Sequence, residues 1–124
     1  MNRHQMREKI VFALYQHLLL NKDLKLLTSE IKGDEYYESL IADLSSNEDK
    51  YIELISSLLN NWTFDRLAYL EQAILLLGVS ELELNEVSKA IVVDEAIRIC
   101  KEYCDEDSYK YINGVLDNYE SQGK

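Results

Sequence analysis

DEAIRICKEYCDEDSYKYINGVLDNY, residues Asp94 to Tyr119, carries two apolar rows at helical spacing. Val93, just upstream, joins Ala96, Ile97, Cys100 and Cys104 in the first row. Ile112, Val115, Leu116 and Tyr119 form the second. The acidic knot Asp105-Glu106-Asp107-Ser108 lies between them. It is expected to end one helix and open the next, because free N–H groups at a helix start favour carboxylates and hydroxyls. Lys110, Tyr111 and Asn113 fall off the second row, so they are expected to face outward. A cation, an aromatic ring and an amide on one exposed shoulder can grip a single-stranded base and its phosphate.

Asn113-Gly114 has the chemistry of a hairpin turn, but its flanks lack strand alternation and no sheet is available to join. A helix is therefore expected here. Glycine in a helix costs about 1 kcal/mol against alanine, so close packing against a neighbouring helix is the expected reason for Gly114.

The remaining chain has the same character. It has 124 residues, no Pro and only four Gly, and most stretches repeat near 3.6 residues. That implies one all-α domain large enough to bury a core. Asn2 is expected to cap a first helix running to Leu20, with Met6, Ile10, Ala13, Leu14 and His17 as its core stripe. Arg3, Arg7, Val11 and Tyr15 form a second line that rotates off the core. It would place two guanidiniums and a phenol on one ridge suited to phosphates and bases. A short helix over 24–31, a turn at Lys32-Gly33-Asp34, and helices around Tyr37–Leu44 and Tyr51–Trp62 follow. Ser46-Asn47-Glu48-Asp49 is expected to start the second of these. Residues 60–64 read as a hinge between two packed sub-bundles, about 1–61 and 62–124.

The net charge of −10 is unevenly spread. Residues 1–25 hold five Lys/Arg against two Asp/Glu, and residues 26–124 hold eight against twenty-one. A basic leading helix on an acidic body makes any RNA contact local and suits a basic protein partner. No stretch reads as a signal peptide or membrane span, which makes the cytoplasm the expected compartment. Cys100 and Cys104 read as packed thiols, and no cofactor or metal is expected. No phosphate-binding loop, zinc-protease motif or dinucleotide fingerprint occurs, and nothing points to an activated nucleophile. The expectation is a binding protein, not an enzyme.

Longer runs resemble one family. Glu95-Ala96-Ile97, Lys101, and Asp107-Ser108-Tyr109-Lys110-Tyr111-Ile112-Asn113-Gly114-Val115-Leu116-Asp117 resemble the C-terminal signature of the NusB family of transcription antitermination factors. Arg3, Arg7 and Ala13-Leu14-Tyr15-Gln16 resemble its start. Trp62, Arg66-Leu67, Glu71-x-Ala73-Ile74-Leu75 and Glu81-Leu82 resemble its middle. The chain departs from the family pattern at Leu76 (often Arg), Ser80 (often a large residue), Ser88 (often Pro) and Asp94 (often Asn).

The resemblance implies an all-α fold of about seven helices in two sub-bundles. It implies joint binding of boxA RNA with NusE, a ribosomal protein with a second role, and assembly onto an RNA polymerase antitermination complex. No membrane or DNA partner is implied. Arg3, Arg7, Lys110, Tyr111 and Asn113 would hold RNA. Tyr15 and Glu71 would meet NusE, with Asp107 at the junction of the two. Alternatives are a NusB-like domain of the kind that precedes ribosomal RNA methyltransferases, or a helical scaffold that binds proteins only.

Overall fold

A computed structural model describes residues 2–31 and 33–121; Lys32 of the expected turn lies outside them. Among the described residues six α-helices follow one another, close to the seven or so expected: α1 Arg3–Leu20, α2 Leu24–Leu27, α3 Glu35–Leu58, α4 Tyr69–Leu84, α5 Lys89–Tyr103 and α6 Tyr109–Asn118. Two single 3-10 turns, Ser29–Ile31 and Phe64–Arg66, complete the path.

Local chemistry explains the boundaries. Asn2 caps α1 by accepting from the Gln5 N–H at 2.8 Å, and the Gln5 side chain accepts from the Asn2 N–H at 3.1 Å. Asn21 and Asn85 close α1 and α4 in the left-handed conformation that asparagine tolerates. Asp34 opens α3 by accepting from the N–H groups of Tyr36 and Tyr37. Ser88 opens α5 by accepting from the Ile91 N–H, so a serine replaces proline at that helix start without loss of function as a boundary. Asp94 therefore sits inside α5, not at its cap.

The expected break at Ser46–Asp49 does not occur, and α3 runs unbroken for 24 residues. Residues 35–58 contain neither Gly nor Pro. Asn47 donates to Asp43 one turn back at 2.9 Å, and Glu48 faces His17. The polar cluster thus binds neighbours on and beside the helix instead of capping a new one. Trp62 lies beyond the end of α3, outside the helix assigned to it from the sequence, and is half exposed.

Helix α4 is the axis of the molecule. Every residue from Glu71 to Glu83 is buried, and Ala73–Val79 is apolar all round except for Gly78. A helix with no polar face must be surrounded. Helices α1, α3, α5 and α6 all pack against it, and buried residues of both halves of the chain join one core. Leu76 has no exposed surface, which accounts for an apolar residue at that position.

The close approach expected at Gly114 occurs elsewhere. A methyl group at Gly114 would meet nothing within 4 Å, whereas one at Gly78 would fall 2.9 Å from both terminal carbons of Leu116. Gly78 is thus where α6 presses onto α4. Gly114→Ala should stabilise the fold by about 0.5–1 kcal/mol through helix propensity. Gly78→Ala should be less stable than Gly114→Ala by roughly 1–3 kcal/mol, because fully buried Leu116 has little room to yield. Urea melts of the two variants, compared at equal slope, check the ordering.

His17 ties the end of α1 to the middle of α3. Its Nδ1 lies 2.6 Å from the Lys22 carbonyl and its Nε2 lies 2.6 Å from a Glu48 carboxylate oxygen. Both partners are acceptors, so both ring nitrogens must carry protons. Burial opposes that charge, but the carbonyl and carboxylate outweigh it and raise the pKa above the usual histidine value. A raised folded-state pKa gives stability that is fully present below about pH 6.5 and fades as pH rises through the folded value. The melting temperature of the wild type should therefore fall between pH 6 and 8 more steeply than that of His17→Gln. Parallel curves from thermal melts would remove His17 as the cause.

Candidate nucleic-acid and partner interface

The outward shoulder on α6 is built from inside. Glu71, in the first turn of α4, is 5 % exposed. It accepts from the Ala68 N–H at 2.8 Å, from the Tyr111 hydroxyl at 2.7 Å and from the Ser108 hydroxyl. These bonds fix the first turn of α6 on the first turn of α4. Burial raises the Tyr111 pKa, and the Glu71 carboxylate raises it further, so the phenol stays a donor. The Tyr111 ring extends outward from that anchor and is half-buried.

Trp62 completes the shoulder. Its ring centroid lies 6.3 Å from that of Tyr111 with the planes inclined at 34°, and half of the residue is exposed. Lys110 is exposed and reaches Asp107 at 3.4 Å, an open pair of little energetic weight. Asn113 is partly exposed one turn further on, next to Gly114, whose missing side chain leaves the backbone open. On the α5 side, the Lys101 ammonium lies 4.7 Å from the centroid of the Tyr109 ring. Trp62 and Tyr111 thus form one exposed aromatic pair, and Lys101 with Tyr109 forms a separate cation–ring pair between α5 and α6, because residues two apart on a helix point to different sides.

Trp62 was not placed beside Tyr111 from the sequence because its spacing continues the apolar row of α3. The signal available was Asn60-Asn61, immediately before it. Helix α3 has already ended at Leu58, with Leu59 extended, and the φ of 65° at Asn61 then takes the indole out of the row.

Two expected surface residues are interior. Arg7, expected on an exposed ridge, is 3 % exposed and forms a forked contact with Glu81, with Nε to Oε2 at 3.0 Å and Nη2 to Oε1 at 2.9 Å. Tyr36 donates to the same carboxylate at 2.7 Å. Burial of Arg7 disfavours its charge, but Glu81 more than offsets this and keeps the guanidinium charged. The line Arg3–Arg7–Val11–Tyr15 therefore turns inward in its middle, since Val11 is also fully buried. Arg7 holds α1 on α4 and has no free guanidinium edge to spend on a phosphate. Glu71, expected at a protein interface, is likewise consumed by internal donors.

Arg3 remains at the surface, with its guanidinium 4.9 Å from the centroid of the Tyr36 ring. It does not adjoin the shoulder. Arg3 sits near Tyr36 and hence near the Glu81 end of α4, whereas Tyr111 is bound at the Glu71 end. Ten residues of helix separate those ends by about 15 Å. Arg3, at the start of α1, and the shoulder thus lie at opposite ends of α4, while the later turns of α1 run back toward the shoulder end.

Tyr15 lies at the shoulder end. Its ring meets that of Tyr69 edge to face, with centroids 6.4 Å apart. Tyr15, Ala68, Tyr69, Glu71, Tyr103 and Asp105 line an open cleft of about 360 Å³, with Glu71 buried at its floor. Asp107, 82 % exposed, stands beside the same corner. This cleft has aromatic walls and an acidic rim, a combination that suits a basic partner.

Such a molecule is a compact helical binding module with an aromatic–cationic corner next to an aromatic–acidic cleft. The NusB family model matches residues 4–121, and the chain belongs to the NusB family. It is 36% identical over 128 residues to the transcription antitermination protein NusB of Listeria monocytogenes, covering 100% of both chains. It is 33% identical over 126 residues to that of Bacillus subtilis, covering 98% of this chain and 96% of the relative. Among solved structures, NusB of T. maritima superposes with a TM-score of 0.83 at 31% identity, covering 94% of this chain and 89% of that one. A crystal structure of antitermination factors NusB and NusE in complex with dsRNA gives a TM-score of 0.76 at 26% identity, covering 94% and 96%.

Arg7→Ala should unfold the protein more readily, by about 3–5 kcal/mol, because it strands the Glu81 carboxylate inside the core. Replacing both partners, as in Arg7→Met with Glu81→Leu, should recover most of that loss. Urea denaturation of the three proteins measures it. A single variant as stable as wild type would mean that Glu81 finds another partner.

Proposed function

We propose that this protein is an RNA-binding adaptor of transcription antitermination, with no catalytic step of its own. It binds single-stranded boxA RNA of ribosomal RNA operon transcripts together with NusE, and the pair joins the elongating RNA polymerase in the cytoplasm. The observation that carries this reading is the Trp62–Tyr111 pair, with Lys110 exposed on the same turn of α6, on a molecule of net charge −10. Ring faces stack on any base, and that energy does not depend on net charge. Family membership and the NusB–NusE–dsRNA relative support the choice of partners.

In this reading Lys110 neutralises a phosphate, Asn113 hydrogen-bonds a base edge and Gly114 lets the backbone come close. Arg3 meets the strand separately. At about 3.4 Å or more per nucleotide, four or five nucleotides reach from the shoulder to Arg3. NusE occupies the cleft between Tyr15 and Asp105, with Asp107 at the boundary of protein and RNA. Arg7 and Glu71 act only by holding the helices that carry these groups.

A gel shift with boxA RNA, with and without NusE, tests the proposal. A supershift that needs both proteins is the expected result, and a NusE complex indifferent to RNA would instead identify a protein-only scaffold. Trp62→Ala should weaken RNA binding by roughly 1–3 kcal/mol, the usual worth of one stacked base. Lys110→Ala should lower the salt-dependence slope by about 0.7, the value for one phosphate contact on a single strand. Unchanged affinity and slope in both variants would exclude the α6 shoulder.

A further inference from the structure

The α1 and α5 helices flank α4 side by side, and long side chains bridge the groove between them. His4 and Glu8 stand one turn apart on α1 and face α5. The Nδ1 of His4 lies 2.6 Å from a Glu95 carboxylate oxygen. That contact places the Nδ1 proton toward Glu95 and leaves the lone pair of a neutral ring on Nε2. Nε2 faces Glu8 Oε1 at 3.7 Å, too far for a hydrogen bond. Glu102, near the end of α5, brings a second carboxylate. One ligand atom from each of His4, Glu8 and Glu102 can be chosen so that all lie within 4.8 Å of one another.

We propose that His4, Glu8 and Glu102 form a binding site for a divalent transition-metal ion of the Zn2+ type. Two ligands on a shared tetrahedral zinc, with bonds of 2.0–2.2 Å, stand about 3.4 Å apart. The 3.7 Å between His4 Nε2 and Glu8 Oε1 is already close to that. Glu102 is exposed and free to close the remaining gap by side-chain rotation. A water completes the coordination.

Two supporting contacts give the cluster what a bare acidic patch lacks. Glu95 orients the imidazole through its far nitrogen, the carboxylate–histidine arrangement that raises ligand basicity and fixes the ring. Tyr103 donates its hydroxyl to Glu8 Oε2, which leaves Oε1 toward His4. The imidazole nitrogen selects a borderline ion over Mg2+ or Ca2+, which prefer oxygen alone. Glu8, Glu95 and Glu102 also bring three carboxylates to one imidazole, and Arg7, with Nη1 3.8 Å from Glu95, offsets only part of that charge. No spacing in the sequence marks His4 as a ligand. Its partners are instead a glutamate one turn on and another that only folding brings near.

The test titrates Zn2+ into tag-free full-length protein against a chromophoric chelator, with thermal melts alongside. The expected result is one equivalent bound by wild type, with a raised melting temperature that Mg2+ does not reproduce. His4→Gln and Glu102→Gln should each weaken binding at least tenfold, while Cys104→Ser leaves it unchanged. Glu102 is exposed, so its variant folds normally and keeps the comparison valid if His4→Gln is impaired. Zn2+ binding of equal affinity in wild type and Glu102→Gln would overturn the proposal. So would loss of binding in Cys104→Ser, or no binding by wild type at micromolar Zn2+.

Discussion

Four carboxylates lie inside this small protein, and each must find donors there. A buried carboxylate without hydrogen bonds would shift its charge or unfold its surroundings. Glu71, Glu81 and Glu83 are on α4, and Asp43 is on α3. Tyrosine hydroxyls answer each of them: Tyr111 to Glu71, Tyr36 to Glu81, Tyr119 to Glu83 and Tyr51 to Asp43. Ser80 also donates to Asp43 at 2.6 Å, and Arg7 adds its fork to Glu81. Among the described residues, no buried side-chain polar atom lacks a partner. Apolar packing alone would let α1, α3 and α6 slide along α4. The polar pins fix their register, because a shift by one turn would leave a charge unpaired.

The same pins shape the surface. The donors to Glu71 come from Ser108 and Tyr111, at the start of α6. Ser108 is fully committed to that carboxylate and does not cap its own helix. The start of α6 is therefore set by a contact to the core. Once the Tyr111 hydroxyl is held inside, its ring has few orientations left, and its exposed area meets Trp62. Aromatic side chains arranged in advance lose little entropy when a base stacks on them. A buried carboxylate thus does for the shoulder what it could not do from the surface: Glu71 sets where the Tyr111 ring stands.

Helix existence was legible in the sequence, and so was the apolar face of α6: Ile112, Val115, Leu116 and Tyr119 are all buried as their spacing requires. The Asn2 cap was equally plain. What failed was inference from charge to exposure. Arg7 and Glu71 have residue types that are rarely buried unless paired, and their partners lie 74 and 37–40 positions away in the chain. No local window contains that information. Gly114 failed for a related reason, since a glycine marks close packing only if a neighbour arrives, and Leu116 arrives at Gly78 instead. The break expected in α3 failed because capping residues in mid-helix found tertiary partners. The Lys110 shoulder was legible in part: its residues were named, but the indole that completes it was assigned to the core.

The separation of Arg3 from the shoulder changes how an acidic protein can hold RNA. Between the two ends of α4, the α1–α5 groove presents Glu8, Glu95 and Glu102. A strand crossing that ground is repelled over a distance comparable with the roughly 8 Å screening length of physiological salt. Arg3 and Lys110 attract it at the two ends, and each contributes about one phosphate's worth of counterion release. Stacking on Trp62 and Tyr111 adds a term that salt does not weaken, yet one or two stacked bases give at most modest affinity alone. The rest has to come from a second cationic surface held next to the shoulder. The cleft at Tyr15 and Asp105 opens at that same end of α4, not at the Arg3 end. A basic partner seated there raises the local concentration of RNA-binding groups at the strong end of the path. Under the proposed function, then, protein pairing precedes RNA capture, and Arg3 engages only when the strand is long enough to cross.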